Sequence, residues 1–307
     1  MTQKTLIIDC DPGVDDAFAL FYAMADDAFH IPLITTVSGN VNVDITTENA
    51  RRIVVMANKK IEIAKGADKP LVAEPFYATY IHGNNGMGDY QFKDDNLAPL
   101  SQLSAVQALK HHLTQAVEPV TIAALGPLTN IAHLIMLHPE LIEKIECLSV
   151  MGGGLKGGNT TPAAEFNFLV DPEAAQIVFN SNIPIIMAGL NVTEQAFIDK
   201  THLDDIKNTG PIGEFLSEVI VAARRQNSVN FRTSLHDVVS IMVLNHEEIF
   251  EYETLKIVIE TQGLYTRGMS VADRRLANRE EGKVKVLTKI NHDRFLDLLY
   301  SKLRTYK

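Results

Sequence analysis

The chain of 307 residues is 46% hydrophobic and carries neither a linker nor a low-complexity stretch, so residues 1–307 read as a single domain with one large core. Its net charge of −10 argues against a nucleic-acid backbone as partner, and two cysteines, Cys10 and Cys147, are too few for a disulfide framework. No apolar stretch approaches the ~20 residues of a membrane span and residues 1–10 lack the apolar segment of a signal peptide, so a cytoplasmic protein with a small, uncharged or metal-assisted substrate is expected.

Residues 5–8 are short, apolar and rich in β-branching, which predicts a buried strand. Asp9, Asp11, Asp15 and Asp16 follow at once, and Pro12-Gly13 supplies a turn before a helix that opens near Asp15 and runs to residue 25. The acids therefore crowd the carboxyl edge of a strand, where open α/β sheets bind ligands. Helix capping and the helix dipole account for one or two such acids. Four of them around a turn cannot all stay ionised cheaply without a metal or shared protons, and an all-oxygen donor set points to Ca²⁺ or Mg²⁺ rather than zinc.

Residues 31–37 form a second predicted strand ending in Ser38-Gly39-Asn40, where Asn40 reads equally as a turn residue or as part of a site. A helix over 44–58 and a strand over 61–64 continue the alternation, which implies right-handed crossovers and an open, mostly parallel sheet flanked by helices. Regularity fades over 70–99, around His82 and Gly83-Asn84-Asn85-Gly86-Met87-Gly88. This stretch matches neither the dinucleotide nor the Walker spacing and reads as a mobile flap over a pocket.

A helix over 101–117, a strand over 120–125, a helix over 128–137 and a strand over 145–150 lead into Met151-Gly152-Gly153-Gly154, whose glycines let backbone approach a ligand. Glu165 and Asn167 flank Phe166 and fall on one side of a segment read as extended, as hydroxyl-binding groups would; Asp171 before Pro172 reads as a helix cap. A strand over 183–190 ends at Asn191, a helix spans 213–223, and a polar run over 224–233 precedes a helix that starts at His236-Asp237 and reaches 244. Strands over 255–261 and 283–287, antiparallel at the sheet edge, and a helix over 293–303 close the chain, which shows no internal repeat.

Taken in order, residues 9–16, Thr36-Val37-Ser38-Gly39-Asn40, His82-Gly83, residues 125–130, Met151-Gly152-Gly153, Glu165-Phe166-Asn167 and His236-Asp237 resemble the inosine-uridine nucleoside hydrolase family over essentially the whole chain. Residues 82–87 are most similar to the bacterial non-specific ribonucleoside hydrolases, although many relatives have an acid where Asn85 stands. The resemblance implies the nucleoside hydrolase fold with its Rossmann-like core, and Ca²⁺-dependent hydrolysis of the N-glycosidic bond of purine and pyrimidine ribonucleosides in salvage. It implies Ca²⁺ on Asp11, Asp16, Asp237 and the backbone carbonyl of Leu125, with Asp15, Asn40 and Asn167 on the ribose diol and Glu165 and Asn159 on the 5′-hydroxyl. His82 and His236 would face the base, and Met151 and Phe166 would lie against the substrate. Asp11 would deprotonate the attacking water and His236 would protonate the leaving base. A homodimer or homotetramer is implied as well. Two rivals remain at this stage: a haloacid-dehalogenase-type phosphatase with Asp9 as nucleophile and Asp11 as acid-base, and a non-catalytic calcium-dependent nucleoside or sugar-binding protein.

Overall fold

Strand β1 (Lys4–Cys10) is the axis of the molecule in the computed structural model, which describes residues 3–93, 95–224, 232–275 and 283–306. Leu6, Ile8 and Cys10 feed the core on one face of the sheet, while Ile7 feeds the core on the other. That alternation is what a strand buried on both sides requires. The remaining strands are β2 (Phe29–His30), β3 (Leu33–Thr36), β4 (Glu62–Lys65), β5 (Val120–Ala124), β6 (Ile145–Met151), β7 (Ile185–Ala188), β8 (Phe197–Asp199), β9 (Arg232–Ser234), β10 (Phe250–Leu255), β11 (Ile257–Ile259), β12 (Ser270–Ala272) and β13 (Val284–Ile290). The main sheet runs β10-β13-β7-β6-β5-β1-β3-β4, with β2 beside β1, and every pairing in it is parallel except β10 with β13.

The chain leaves β1 toward β3 and β4 and then returns to lay β5 on the other side of β1, so the strand order reverses there. A crevice opens at such a reversal, outside the carboxyl ends of the strands. Helices cover both faces: α1 (Val14–Ala25), α2 (Val43–Met56), α3 (Thr79–His82), α4 (Ala105–Gln115), α5 (Thr129–Leu137), α6 (Phe166–Val170), α7 (Pro172–Phe179), α8 (Leu190–Thr193), α9 (Lys200–Lys207), α10 (Pro211–Arg224), α11 (His236–Met242) and α12 (His292–Leu303). Phe18 and Tyr22 of α1, Phe215 of α10, Ile241 of α11 and Phe295 of α12 share one core; Leu109 of α4, Ile131 of α5 and Val178 of α7 share the other. Among the described residues no helix is long and apolar enough to cross a membrane.

Several expected elements change shape for identifiable reasons. The strand expected over 31–37 is shorter, β3 at Leu33–Thr36, and Pro32, which has no N–H to donate, separates it from β2 at Phe29–His30. The helix expected from 101 starts at Ala105, because Ser104 accepts from the Gln107 N–H and the Gln107 side chain answers the Ser104 N–H. Strand β7 stops at Ala188, and Asn191 lies inside α8. The run over 255–261 is not one edge strand: β10 pairs antiparallel with β13, whereas β11 leaves to pair with β12 in a separate two-stranded sheet, and β13 itself is parallel to β7. The stretch over 70–99, expected to lie over a pocket, does put Ala78, Tyr80, Ile81 and His82 on the cavity, but its glycine segment is packed in. Met87 is fully buried, and a Cβ on Gly88 (φ +65°) would sit 2.4 Å from the Ala223 nitrogen, so the glycine core of that stretch is packed into the wall of the crevice. The polar run expected over 224–233 lies partly outside the described residues, at 225–231.

Candidate active site

Asp11 follows β1, Asn40 lies in the turn after β3, Leu125 follows β5 and Met151 ends β6, so four side by side strands deliver residues at their carboxyl ends to one place. Asp15 arrives from the first turn of α1 and Asp237 from the first turn of α11. With His82, Asn159, Glu165, Phe166, Asn167 and His236 they line a cavity of about 290 Å³. Asp16 alone of the expected site residues does not line it; it lies beneath, fully buried.

The carboxylates are held by backbone. The Gly13 N–H donates to Asp16 Oδ2 at 2.9 Å, and the Asn40 N–H donates to Asp11 Oδ2 at 2.7 Å. Asn40 Nδ2 donates to the Asp11 carbonyl at 3.0 Å and to Asp16 Oδ2 at 3.1 Å. Two turn glycines make the space: a Cβ on Gly39 would lie 2.1 Å from Asp11 Oδ2, and one on Gly126 2.5 Å from Asp11 Oδ1. One oxygen each from Asp15, Asp16 and Asp237 come within 4.8 Å of one another. Asp16 and Asp237 of the expected ligand set are in this trio, Asp15 joins them, and the Asp11 carboxylate, fixed by the Asn40 N–H, is close enough to raise Asp237 further. The Leu125 carbonyl accepts from Asn167 Nδ2 at 2.8 Å, which occupies one of its two lone pairs.

Burial and mutual repulsion push these acids up. Asp15 and Asp16 reach about 6, and Asp11 and Asp237 lie well above the ordinary carboxylate range, in each case because burial penalises the charge first and neighbouring aspartates add to it in three of the four. Asp16 Oδ1 is buried and faces no hydrogen-bond donor among the described residues. An acceptor-only atom in that position, inside an all-oxygen cluster, fits a hard cation.

Glu165 departs from the expected reading. It is not in an extended segment but caps α6, accepting from the N–H groups of Asn167 at 2.9 Å, Phe168 at 3.2 Å and Gly153 at 2.9 Å. Three orphan N–H groups explain a carboxylate there, and burial still raises it to about 7. Asn159 Oδ1 accepts from the Phe166 N–H at 3.0 Å and so secures the same helix start. The Asn167 amide group also donates to the Met151 carbonyl at 3.1 Å. In both Asn40 and Asn167 the NH₂ is thus turned to protein acceptors, and each Oδ1 accepts from no donor among the described residues.

His82 Nδ1 accepts from the Val14 N–H at 3.1 Å, and burial, with His236 and Arg224 nearby, holds the ring down to about 3. It is therefore neutral, with its proton on Nε2. His236 Nδ1 meets Thr193 Oγ1 at 2.7 Å; burial lowers its pKa while Asp15 pulls the other way. Asp9 faces away from the cavity: its Oδ1 accepts from Thr35 Oγ1 and, at 2.7 Å, from Asn130 Nδ2. A buried Asp9 so engaged has no open approach for a phosphate ester, which removes the phosphatase reading. Tyr80, Ile81, Ile220, Arg224 and Arg232 line the cavity without having been expected there. The polar run that begins at Arg224 and the irregular stretch around His82 were the available signals.

The profile of the family described as inosine-uridine preferring nucleoside hydrolase matches residues 6–297. The chain belongs to that family. This nucleoside hydrolase is 40% identical to the pyrimidine-specific ribonucleoside hydrolase RihA of Shewanella woodyi over 99% of each chain, and 41% identical to the non-specific ribonucleoside hydrolase RihC of Salmonella paratyphi B over 87% of each. Among solved structures it is similar to the purine-preferring ribonucleoside hydrolase from Gardnerella vaginalis, with a TM-score of 0.90, 27% identity and 99% of each chain covered. The open, mostly parallel sheet flanked by helices is thus the nucleoside hydrolase fold, and the protein is a ribonucleoside hydrolase that cleaves the N-glycosidic bond. A purely binding role is set aside with that membership.

Proposed function

We propose that this hydrolase is a Ca²⁺-dependent salvage enzyme of the cytoplasm that releases ribose from both purine and pyrimidine ribonucleosides. The observation that carries the metal is Asp16 Oδ1, a buried acceptor without a donor beside the oxygens of Asp15 and Asp237. Asp11, Asp16, Asp237 and the second lone pair of the Leu125 carbonyl would hold the ion, which would offset the repulsion among the acids and lower the pKa of a nearby water. The breadth of substrate rests on relatives whose names include pyrimidine-specific, non-specific and purine-preferring enzymes.

Breaking the bond to the base leaves an oxocarbenium-like ribose, and the carboxylates of the cavity stabilise that charge. Asp11 takes the proton of the attacking water. Asp15 and the Oδ1 atoms of Asn40 and Asn167 accept from the 2′- and 3′-hydroxyls, Glu165 and Asn159 take the 5′-hydroxyl, and Met151 and Phe166 pack against the substrate. His82 offers its Nε2 proton to the base. His236, with Nδ1 engaged by Thr193, presents Nε2 to the departing base as its acid.

The test is kcat/KM for inosine, adenosine, uridine, cytidine, xanthosine and 2′-deoxyuridine, with bound calcium quantified before and after chelation. Turnover of purine and pyrimidine ribosides is expected, with loss on chelation and recovery on adding Ca²⁺. The deoxyriboside should fall by roughly 10⁴-fold, since it leaves buried polar groups unpaired. Full activity in metal-free protein, or equal rates for uridine and 2′-deoxyuridine, would overturn the assignment.

A further inference from the structure

Hydrolysis of a nucleoside separates charge: the ribose becomes positive and the base leaves with the electron pair of the broken bond. The carboxylates answer the first half of that separation. For the second half the cavity holds His82 and His236, both driven toward their neutral forms by burial, and Arg224, whose charge reaches the His82 ring.

Arg224 ends α10, where a cation meets the negative end of the helix. That alone would leave its long side chain free to extend into solvent. Instead Nε donates to Thr233 Oγ1 at 2.9 Å and Nη2 to the Arg232 carbonyl at 2.7 Å, so β9 clamps the guanidinium in one orientation against the cavity. Nη1 makes no hydrogen bond to a described residue, and no carboxylate among the described residues pairs with the group. A half-buried guanidinium without an anion is costly unless a ligand completes it. Arg232, the other arginine on the cavity, is engaged elsewhere: its Cζ lies 3.6 Å over the Phe197 ring and its Nη2 donates to the Glu194 carbonyl.

We propose that Arg224 is a further catalytic residue, pairing through its Nη1 N–H groups, which meet no acceptor among the described residues, with an acceptor atom of the nucleobase and holding the negative charge that collects there as the bond breaks. A guanidinium has donors only and keeps its protons, so it recognises keto oxygens and unprotonated ring nitrogens, not amino groups. In the balanced step the C1′–N bond breaks with its electron pair going to the base, water oxygen bonds to C1′, and Asp11 takes the water's proton. His236, protonated beside Asp15, supplies a proton to the base and is left neutral, and Arg224 exchanges none. The assignment rests on the proposed placement of the base beside His82 and His236.

Uridine and 5-fluorouridine test it, because they differ by one small atom while 5-fluorouracil is the more stable anion. Ribose release by the wild-type enzyme checks the underlying site reading independently of the variant. Arg224→Gln should lower kcat for uridine by about 10²-fold, as loss of one transition-state donor does, and should lower it several-fold less for 5-fluorouridine. Arg224→Lys should recover part of the loss. Equal losses on both substrates, or a rise in KM at constant kcat, would overturn the proposal. So would a variant that turns over uridine normally but loses uridine 5′-monophosphate, which would make Arg224 a phosphate anchor.

Discussion

Asp9 and Asp11 are two residues apart and chemically identical, yet the fold assigns them different work. Asp9 is still inside β1, between neighbouring strands, and its Oδ1 is engaged by Thr35 and Asn130. Burial raises it to about 7 despite those two hydrogen bonds, so it is readily protonated. Asp11 has passed the strand end and reaches the cavity. Asp9→Asn keeps an acceptor oxygen for Thr35 and Asn130 and should leave kcat within about tenfold of wild type. Asp11→Asn cannot accept a proton and should lower kcat by about 10²–10⁴. Measuring both on uridine checks the pair, and a folded Asp9→Asn enzyme as impaired as Asp11→Asn would contradict this division. That an acid cluster binds a ligand was legible in the residue types. Which acid faces inward depended on where β1 ends.

At the scale of elements, the site is made by strand ends and the turns that follow them. Gly39 and Gly126 belong to different turns, after β3 and β5, and both clear room for the same Asp11 carboxylate. Gly39→Ala would place a methyl group into Asp11 Oδ2, within 2.1 Å. The clash is with a functional carboxylate, so activity should fall by about 10²-fold or more while the protein remains folded, because misplacement by about 1 Å costs that much. Circular dichroism beside kcat measures both; an active Gly39→Ala enzyme would show that Asp11 tolerates displacement. Glu165 teaches the same lesson about reading elements. Its spacing from Asn167 suits an extended segment as well as a helix start, and only the N–H groups of Gly153, Asn167 and Phe168 converging on it decide for the cap.

For the whole molecule, the buried acids couple stability to pH. Asp9 and Glu165 at about 7, and Asp15 and Asp16 at about 6, bind protons in the fold that an unfolded chain has released above about 4. Their contribution is therefore fully present below about pH 4 and is lost as pH rises through 6 to 7. His82, held down to about 3, and His236, lowered as well, act in the opposite sense: their contribution is present above about 6.5 and lost as pH falls, and two rings do not outweigh these four carboxyls together with the raised Asp11 and Asp237. Chelated protein should show a Tm that falls between about pH 5 and about pH 8, and Ca²⁺ should raise Tm most at the alkaline end. A Tm that rises over that range without metal would contradict the linkage. The sequence by itself determined the alternation of strands and helices, the acid cluster after the first strand and the list of polar residues at strand ends, because local periodicity, turn chemistry and residue type carry that information. Only the tertiary structure decided the rest. The reversal of strand order at β1 gathers the ends of β3, β5 and β6 around it, and β9 turns Arg224 toward the cavity. Contacts between residues far apart in the chain depend on which strands become neighbours, and local pattern does not specify that.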